Sequence, residues 1–204
     1  VILKIWTVAN FITVLRVMLI PFVIICFYYG VHGAVKNQWI WWSISLFLLT
    51  ICELTDFVDG YLARLMHQVS EFGALLDPLC DSMVRFSIFL SLSQLNIIPA
   101  WTVYVFFYRD LSVAYLRILA MAKGVVFSAR ISGKIKAIAQ GVGIFIIVGI
   151  EFFKSLKIDI LYGVISKEAF VLYVMLIVSG ITIWSGLDYA YKIFSMSNKE
   201  DLKK

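Results

Sequence analysis

The sequence predicts an all-α membrane protein: six transmembrane helices behind a short interfacial helix, forming one domain over 204 residues. Three observations predict it. Apolar residues make up 62% of the chain and charged residues 15%, with a mean hydropathy of +0.93, far from the balance of a water-soluble domain. The apolar residues fall in runs close to the roughly 20 that cross a bilayer, and only three prolines occur among them. The net charge of +5 sits on residues that border those runs, which suits anionic lipid headgroups better than nucleic acid. No linker rich in serine, proline or glycine divides the chain, and no internal repeat is visible. Cys26, Cys52 and Cys80 lie inside apolar segments without metal-site or disulfide spacing, so they read as small buried side chains.

Residues 1–10 read as the interfacial helix, with Trp6 at headgroup level. The first span covers about residues 11–30 and is kinked at Pro21. No small-residue cleavage site follows it, so it reads as a retained span and not a signal peptide. At its start Asn10 either caps the helix, with Arg16 snorkelling to headgroups, or belongs with Thr13 to a functional site. The second span begins near residue 38, behind an interface belt of Trp39, Trp41 and Trp42, and continues through Glu53 and Asp56 to Ala63 and Arg64. A short polar loop over 66–71 follows, where His67 reads as a solvated residue.

The third span opens at Gly73 and runs to about residue 95, with Pro78 in its first turns, where proline costs little. Arg85, one turn beyond Asp81, either binds a phosphate or pairs with an acid. After a turn at 96–99, the fourth span covers 100–122 and carries Arg109, Asp110 and Arg117. The two arginines share a face, which should look into an interior cavity. Either the phosphate of a small substrate or nearby acids neutralise them, Asp110 among those acids. Residues 123–136 read as a basic loop, in which Lys134 and Lys136 are either ordinary positive-inside residues or phosphate ligands. The fifth span covers about 138–153 and the sixth about 169–189, and a polar tail over 190–204 is expected to fray into solvent.

With the N-terminus inside, cytosolic segments hold Lys4, Arg64, Lys123, Arg130, Lys134, Lys136, Lys192, Lys199, Lys203 and Lys204. The opposite side holds only Lys36, Lys154, Lys157 and Lys167. This asymmetry puts both termini in the cytosol. It puts the acids of the second and third spans on the same side.

Those acids are the chemical centre of the chain. Asp56 and Asp59 are three residues apart and Asp77 and Asp81 four apart, so each pair lies on one face of a helix. A carboxylate at bilayer depth costs roughly 2.5–3.5 kcal/mol, so four of them together need cations. Oxygen-only ligands suit Mg²⁺, Mn²⁺ or Ca²⁺ rather than zinc. Gly60, Ala63 and Gly73 leave room for a bulky ligand near the backbone, and Arg64 offers a guanidinium to a phosphate. Together these residues suggest metal-assisted phosphoryl transfer at a membrane surface.

The spacing Asp-x2-Asp-Gly-x2-Ala-Arg-x8-Gly-x3-Asp-x3-Asp, filled by Asp56, Asp59, Gly60, Ala63, Arg64, Gly73, Asp77 and Asp81, resembles the signature of the CDP-alcohol phosphotransferase family. The resemblance implies transfer of a phosphatidyl group from CDP-diacylglycerol to a small alcohol, with release of CMP. It also implies Mg²⁺ or Mn²⁺ held by Asp56, Asp59, Asp77 and Asp81, with Asp81 as the base for the hydroxyl proton, and a homodimer in a bacterial inner membrane. Asn10, Thr13, Asp59, Gly60, Ala63, Arg64 and Gly73 would then contact the CDP-lipid. Asn10-x2-Thr13-x2-Arg16, Arg109-Asp110-x6-Arg117 and Thr182-x2-Ser185-Gly186-x-Asp188 are similar to segments of the branch whose acceptor is glycerol 3-phosphate. Two positions depart from it: Ala137 stands in place of a threonine, and Ser82 in place of the lysine common after the last acid. Arg85, Arg109, Arg117, Lys134 and Lys136 would hold the acceptor phosphate, with inositol phosphate as the next acceptor in line. A cation transporter using the acids as an ion path is the rival class, although no matching acidic cluster occurs in the other half of the chain.

Overall fold

The computed structural model describes residues 8–65, 71–122, 131–158 and 166–201, with side chains described for 13–55, 78–118, 131–158 and 166–193. The described backbone is helical throughout, apart from short turns. In order come α1 (Val8–His32), a single 3-10 turn (Val35–Asn37), α2 (Gln38–Leu65), α3 (Glu71–Gln94), α4 (Ala100–Ala122), α5 (Ile131–Ser155) and α6 (Lys167–Asp201). The expected all-α class is what these elements form. Among the described residues, three stretches are long and apolar enough to cross a membrane: Thr13–His32, Ile131–Ser155 and Lys167–Ile193. Residues 1–7 with Lys4 and Trp6, the loop residues 66–70 with His67, residues 123–130 with Lys123 and Arg130, and the last three residues lie outside the described part of the chain.

Two expectations are corrected. Ile131–Lys136, read from sequence as part of a basic loop, forms the first turns of α5. The basic residues misled because helix and loop differ here in partners rather than in composition: Ser132 and Lys136 are buried against side chains of neighbouring helices. The polar tail also stays helical, as α6 continues to Asp201 with neither glycine nor proline after Gly186 to stop it.

The chain forms two compact units: Val1–Ile97 with Ile144–Ile165, and Ile98–Gly143 with Ser166–Lys204. In the first, α1 packs against both α2 and α3. Its buried positions are Thr13, Arg16, Ile20, Val23, Cys26, Phe27 and Gly30, a 3–4 spacing with Cys26 added beside Phe27 that keeps one narrow stripe turned inward. In α2 the buried positions Trp42, Ser45, Leu49 and Cys52 follow the same spacing. In the second unit α4 packs on α6, whose buried residues Val171, Met175, Val178, Thr182, Ser185 and Tyr189 recur by three and four, with Ser179 buried beside Val178.

The ends of the helices are specified locally. After α3, Ile97 N–H donates to Leu92 O at 2.9 Å and Asn96 N–H to Ser93 O at 3.0 Å, with Asn96 at φ 56°. These paired bonds make a Schellman cap, and asparagine is among the few side chains that tolerate its left-handed residue. Lys157, at φ 62°, closes α5 with the same pair of bonds, from Ile158 N–H to Phe153 O and from Lys157 N–H to Lys154 O.

The α1–α2 hairpin is clasped at its turn. Trp42 is almost wholly buried, stacks obliquely on Phe27 with 5.6 Å between ring centroids, and donates its indole N–H to Gly30 O at 3.1 Å. A Cβ on Gly30 would stand 2.8 Å from the Trp42 ring, so only glycine admits this approach. Gly30→Ala should therefore lower stability by about 1–3 kcal/mol through overpacking, read as a fall in melting temperature in detergent, whereas Gly149→Ala, where a Cβ meets open space, should not.

Candidate active site

The first unit changes character along its length. At the turn end its stripes are apolar and aromatic, and at the other end they become polar. On α1 the polar positions are Thr13, fully buried, and Arg16, whose side chain is 5% exposed. Arg16 Nη2 lies 2.7 Å from Asp81 Oδ1 on α3, an ion pair in which Asp81 is 30% exposed. On α2, the helix against which α1 also packs, Cys52 is buried. Counting on from Cys52 in the same 3–4 spacing reaches Asp56, Asp59 and Ala63, all on the helical backbone of α2. Asp77 and Asp81 occupy matching register positions on α3, one and two turns ahead of Val84. Sequence register thus places the acids on the last turns of α2 and the first turns of α3, and Asp81 is joined to the start of α1 through Arg16.

Pro78, expected where proline costs little, is the eighth residue of α3 and lies inside the helix, where its missing N–H removes one i→i−4 bond. The donor set offered by the motif is all carboxylate, which fits hard divalent ions. Asp81, the member whose side chain is described, keeps one edge toward solvent while a cation is held against it.

The second unit holds a buried polar network of its own. Asp110 accepts from both sides: Arg109 Nη1 donates to Oδ1 at 2.9 Å, and Lys136 Nζ donates to Oδ1 and Oδ2 at 2.8 Å each. Arg109 Nη2 also donates to Ser185 Oγ on α6 at 2.6 Å. Gly186 makes that reach possible, since a Cβ there would meet Arg109 Cγ at 3.1 Å. Along α5, Ser132, Lys136 and Gln140 are spaced by four and share one face. Ser132 Oγ donates to Asp188 Oδ2 at 2.6 Å and Gln140 Nε2 to Thr182 Oγ1 at 3.4 Å. Contacts that ascend α5 descend α6, so the two segments run antiparallel.

Residues 6–185 match the CDP-alcohol phosphatidyltransferase family. The chain belongs to this family. Among curated proteins it is 33% identical over 141 residues to a probable phosphatidylglycerophosphate synthase of Mycobacterium tuberculosis, covering 69% of this chain and 65% of that protein. It is 41% identical over 93 residues to the CDP-diacylglycerol–glycerol-3-phosphate 3-phosphatidyltransferase of Bacillus subtilis, covering 46% and 48%. To the protein of the same name from Cereibacter sphaeroides it is 35% identical over 146 residues, covering 70% and 63%. The chain thus spans about half to two thirds of the length of these relatives.

Within this CDP-alcohol phosphatidyltransferase chain, the residues expected from sequence fall into three groups. Asp81 and Thr13 are described and belong to the first unit. Asn10, Asp56, Asp59, Gly60, Ala63, Arg64, Gly73 and Asp77 have described helical backbone, with side chains outside the described set. In the second unit Arg109 and Lys136 converge on Asp110, Lys134 is exposed on the opposite side of α5, and Arg117 is half-buried. Arg85, in the first unit, is half-buried on α3.

Sequence reasoning missed the role of Arg16, which is buried in a pair and does not snorkel. It also passed over Ser132 and Asp188 as a bonded pair. The signal was present: Ser132, Lys136 and Gln140 share a face, and so do Ser185 and Asp188 within a buried stretch of α6. Asp110 is the common acceptor for two buried cations, so Asp110→Asn should destabilise the protein by about 3–5 kcal/mol, the usual cost of stripping one partner from a buried pair. Thermal unfolding in detergent checks this, with Lys134→Ala as the exposed control.

Proposed function

We propose that this protein transfers the phosphatidyl group of CDP-diacylglycerol to glycerol 3-phosphate, releasing CMP and forming phosphatidylglycerol phosphate. The observation that carries the reading is the complete eight-residue signature, with its four acids, on the last turns of α2 and the first turns of α3 in a chain of this family. The acceptor rests on the names of the relatives above and on the cationic lining of α4 and α5.

In this reading Asp56, Asp59, Asp77 and Asp81 hold Mg²⁺ or Mn²⁺, as their all-oxygen donors favour. Bound there, the ions would supply positive charge to the diphosphate and to the departing CMP oxygen. The chain's own residues do the rest. Gly60, Ala63 and Gly73 leave backbone room for cytidine, Asn10 and Thr13 line the nucleotide, and Arg64 binds a diphosphate oxygen. Asp81 takes the proton of the attacking hydroxyl as the new P–O bond forms, because a carboxylate is too weak to remove it beforehand. Arg109, Arg117, Lys134, Lys136 and Arg85 are the groups available to the acceptor phosphate. Of these, Arg109 and Lys136 are held in place by Asp110.

The same reading has six spans and a cytosolic active site in a bacterial inner membrane, with the protein acting as a homodimer. Helices α2, α3 and α4, at 28, 24 and 23 residues, are about 35–42 Å long and exceed a hydrocarbon core of ~30 Å. The charge asymmetry of the loops supports the orientation.

Purified protein supplied with CDP-diacylglycerol, Mg²⁺ or Mn²⁺ and a panel of acceptors should release CMP with glycerol 3-phosphate. Absence of CMP with every acceptor would overturn the proposal. Asp81→Asn should reduce turnover by at least ~100-fold, as for loss of a general base, while CDP-lipid binding measured by competition persists. Arg109→Ala or Arg117→Ala should raise the KM for glycerol 3-phosphate about tenfold or more, and an unchanged KM in both would remove them from the acceptor site.

A further inference from the structure

Arg16 is a described charge at the polar end of the first unit that the proposed reaction does not use. Its side chain is 5% exposed, so it does not reach headgroups, and its guanidinium lies 2.7 Å from Asp81. It belongs to α1, the helix that packs on both α2 and α3. On α2, Cys52 is buried one turn before Asp56. Arg16 thus pairs directly with the α3 half of the acidic signature, from a helix that also packs on α2, which carries the other half.

We infer that Arg16 is a built-in counter-ion that holds the acidic ends of α2 and α3 together in the metal-free protein and shares that task with divalent ions once they bind. The inference rests on the proposed role of the four acids as a metal site. Carboxylates gathered in a low-dielectric setting repel one another strongly, and the repulsion is relieved only by positive charge. Arginine suits this because it never loses its charge and is less strongly hydrated than lysine, so it is the basic side chain most readily kept inside. Arg16 cannot follow a ligand out to solvent, since its buried place in the α1 stripe, one turn from Thr13 and Ile20, fixes its stem. It is a positioning residue: it acts on the acids, and through them on whatever they hold.

The consequence is a thermodynamic coupling between residue 16 and the metal. A ligand that binds only the folded protein raises its stability. If Arg16 already supplies part of the charge balance, removing it leaves the metal-free fold short of positive charge and more dependent on added ions. The full chain in detergent micelles is therefore compared as wild type, Arg16→Lys and Arg16→Gln, each melted in EDTA and in saturating Mn²⁺. Wild type should melt higher in Mn²⁺. Arg16→Lys should show a shift close to that of wild type, because it keeps the charge. Arg16→Gln should melt lower in EDTA, and its Mn²⁺ shift should exceed that of wild type by roughly 3 °C or more, the change expected for about a fourfold-to-tenfold difference in folding equilibrium in a chain of this size.

If Arg16→Gln loses the same number of degrees with and without Mn²⁺, Arg16 serves packing alone and the inference fails. Should Arg16→Gln not fold in EDTA, recovery of folded protein when it is purified in Mn²⁺ supports the inference, and failure to recover it there overturns the inference. A wild-type protein with no Mn²⁺ shift overturns instead the assignment of the acids as a metal site, so the two failures are distinguishable.

Discussion

A charge inside an apolar helix has to find its opposite on a neighbouring helix, and in this protein both compact units are arranged around that requirement. In the first, Arg16 of α1 meets Asp81 of α3. In the second, Asp110 of α4 is held by Arg109 beside it and by Lys136 of α5. Leaving either partner alone costs several kcal/mol in a buried setting, so these pairs restrict how the helices can rotate and slide against one another. Apolar packing is more permissive, because one leucine can replace another along a stripe. The charges supply register where the aliphatic residues supply only adhesion.

Each stripe carries two kinds of information. The 3–4 spacing on α1, α2 and α6 sets which face turns inward, and the change from apolar to polar residues along a stripe sets which end is chemical. On α2 the sequence Trp42, Ser45, Leu49, Cys52 passes without a break in spacing into Asp56 and Asp59. One helical face therefore carries first the packing residues and then the acids of the signature. The second unit repeats the principle with hydroxyls and an amide: Ser132, Gln140, Thr182 and Ser185 replace aliphatic residues on the contact between α5 and α6.

Much of this was legible in the sequence. The starts of α2 and α4 at residues 38 and 100 follow directly from the tryptophan belt and from Pro99. The acid pairs fall on helices at one-turn spacing, as expected. What could not be read was partnership. Arg16 looks like any arginine near the start of a span until α3 is placed beside it. Lys136 looks like a loop lysine until Asp110 and the first turns of α5 are seen together. Periodicity reports which face a residue occupies, and it carries no information about what stands opposite.

The clasp between Trp42 and Gly30 has a mechanical consequence. It pins the α1–α2 hairpin at one extremity, and Arg16 lies fourteen residues from Gly30, about 21 Å along the helix axis. Pivoting about a pinned point magnifies with distance, so a tilt of about 5° at the indole carries the guanidinium through roughly 2 Å of arc over that span. The hairpin is a pair of tongs, with its rivet at the aromatic end and its jaws at the carboxylates.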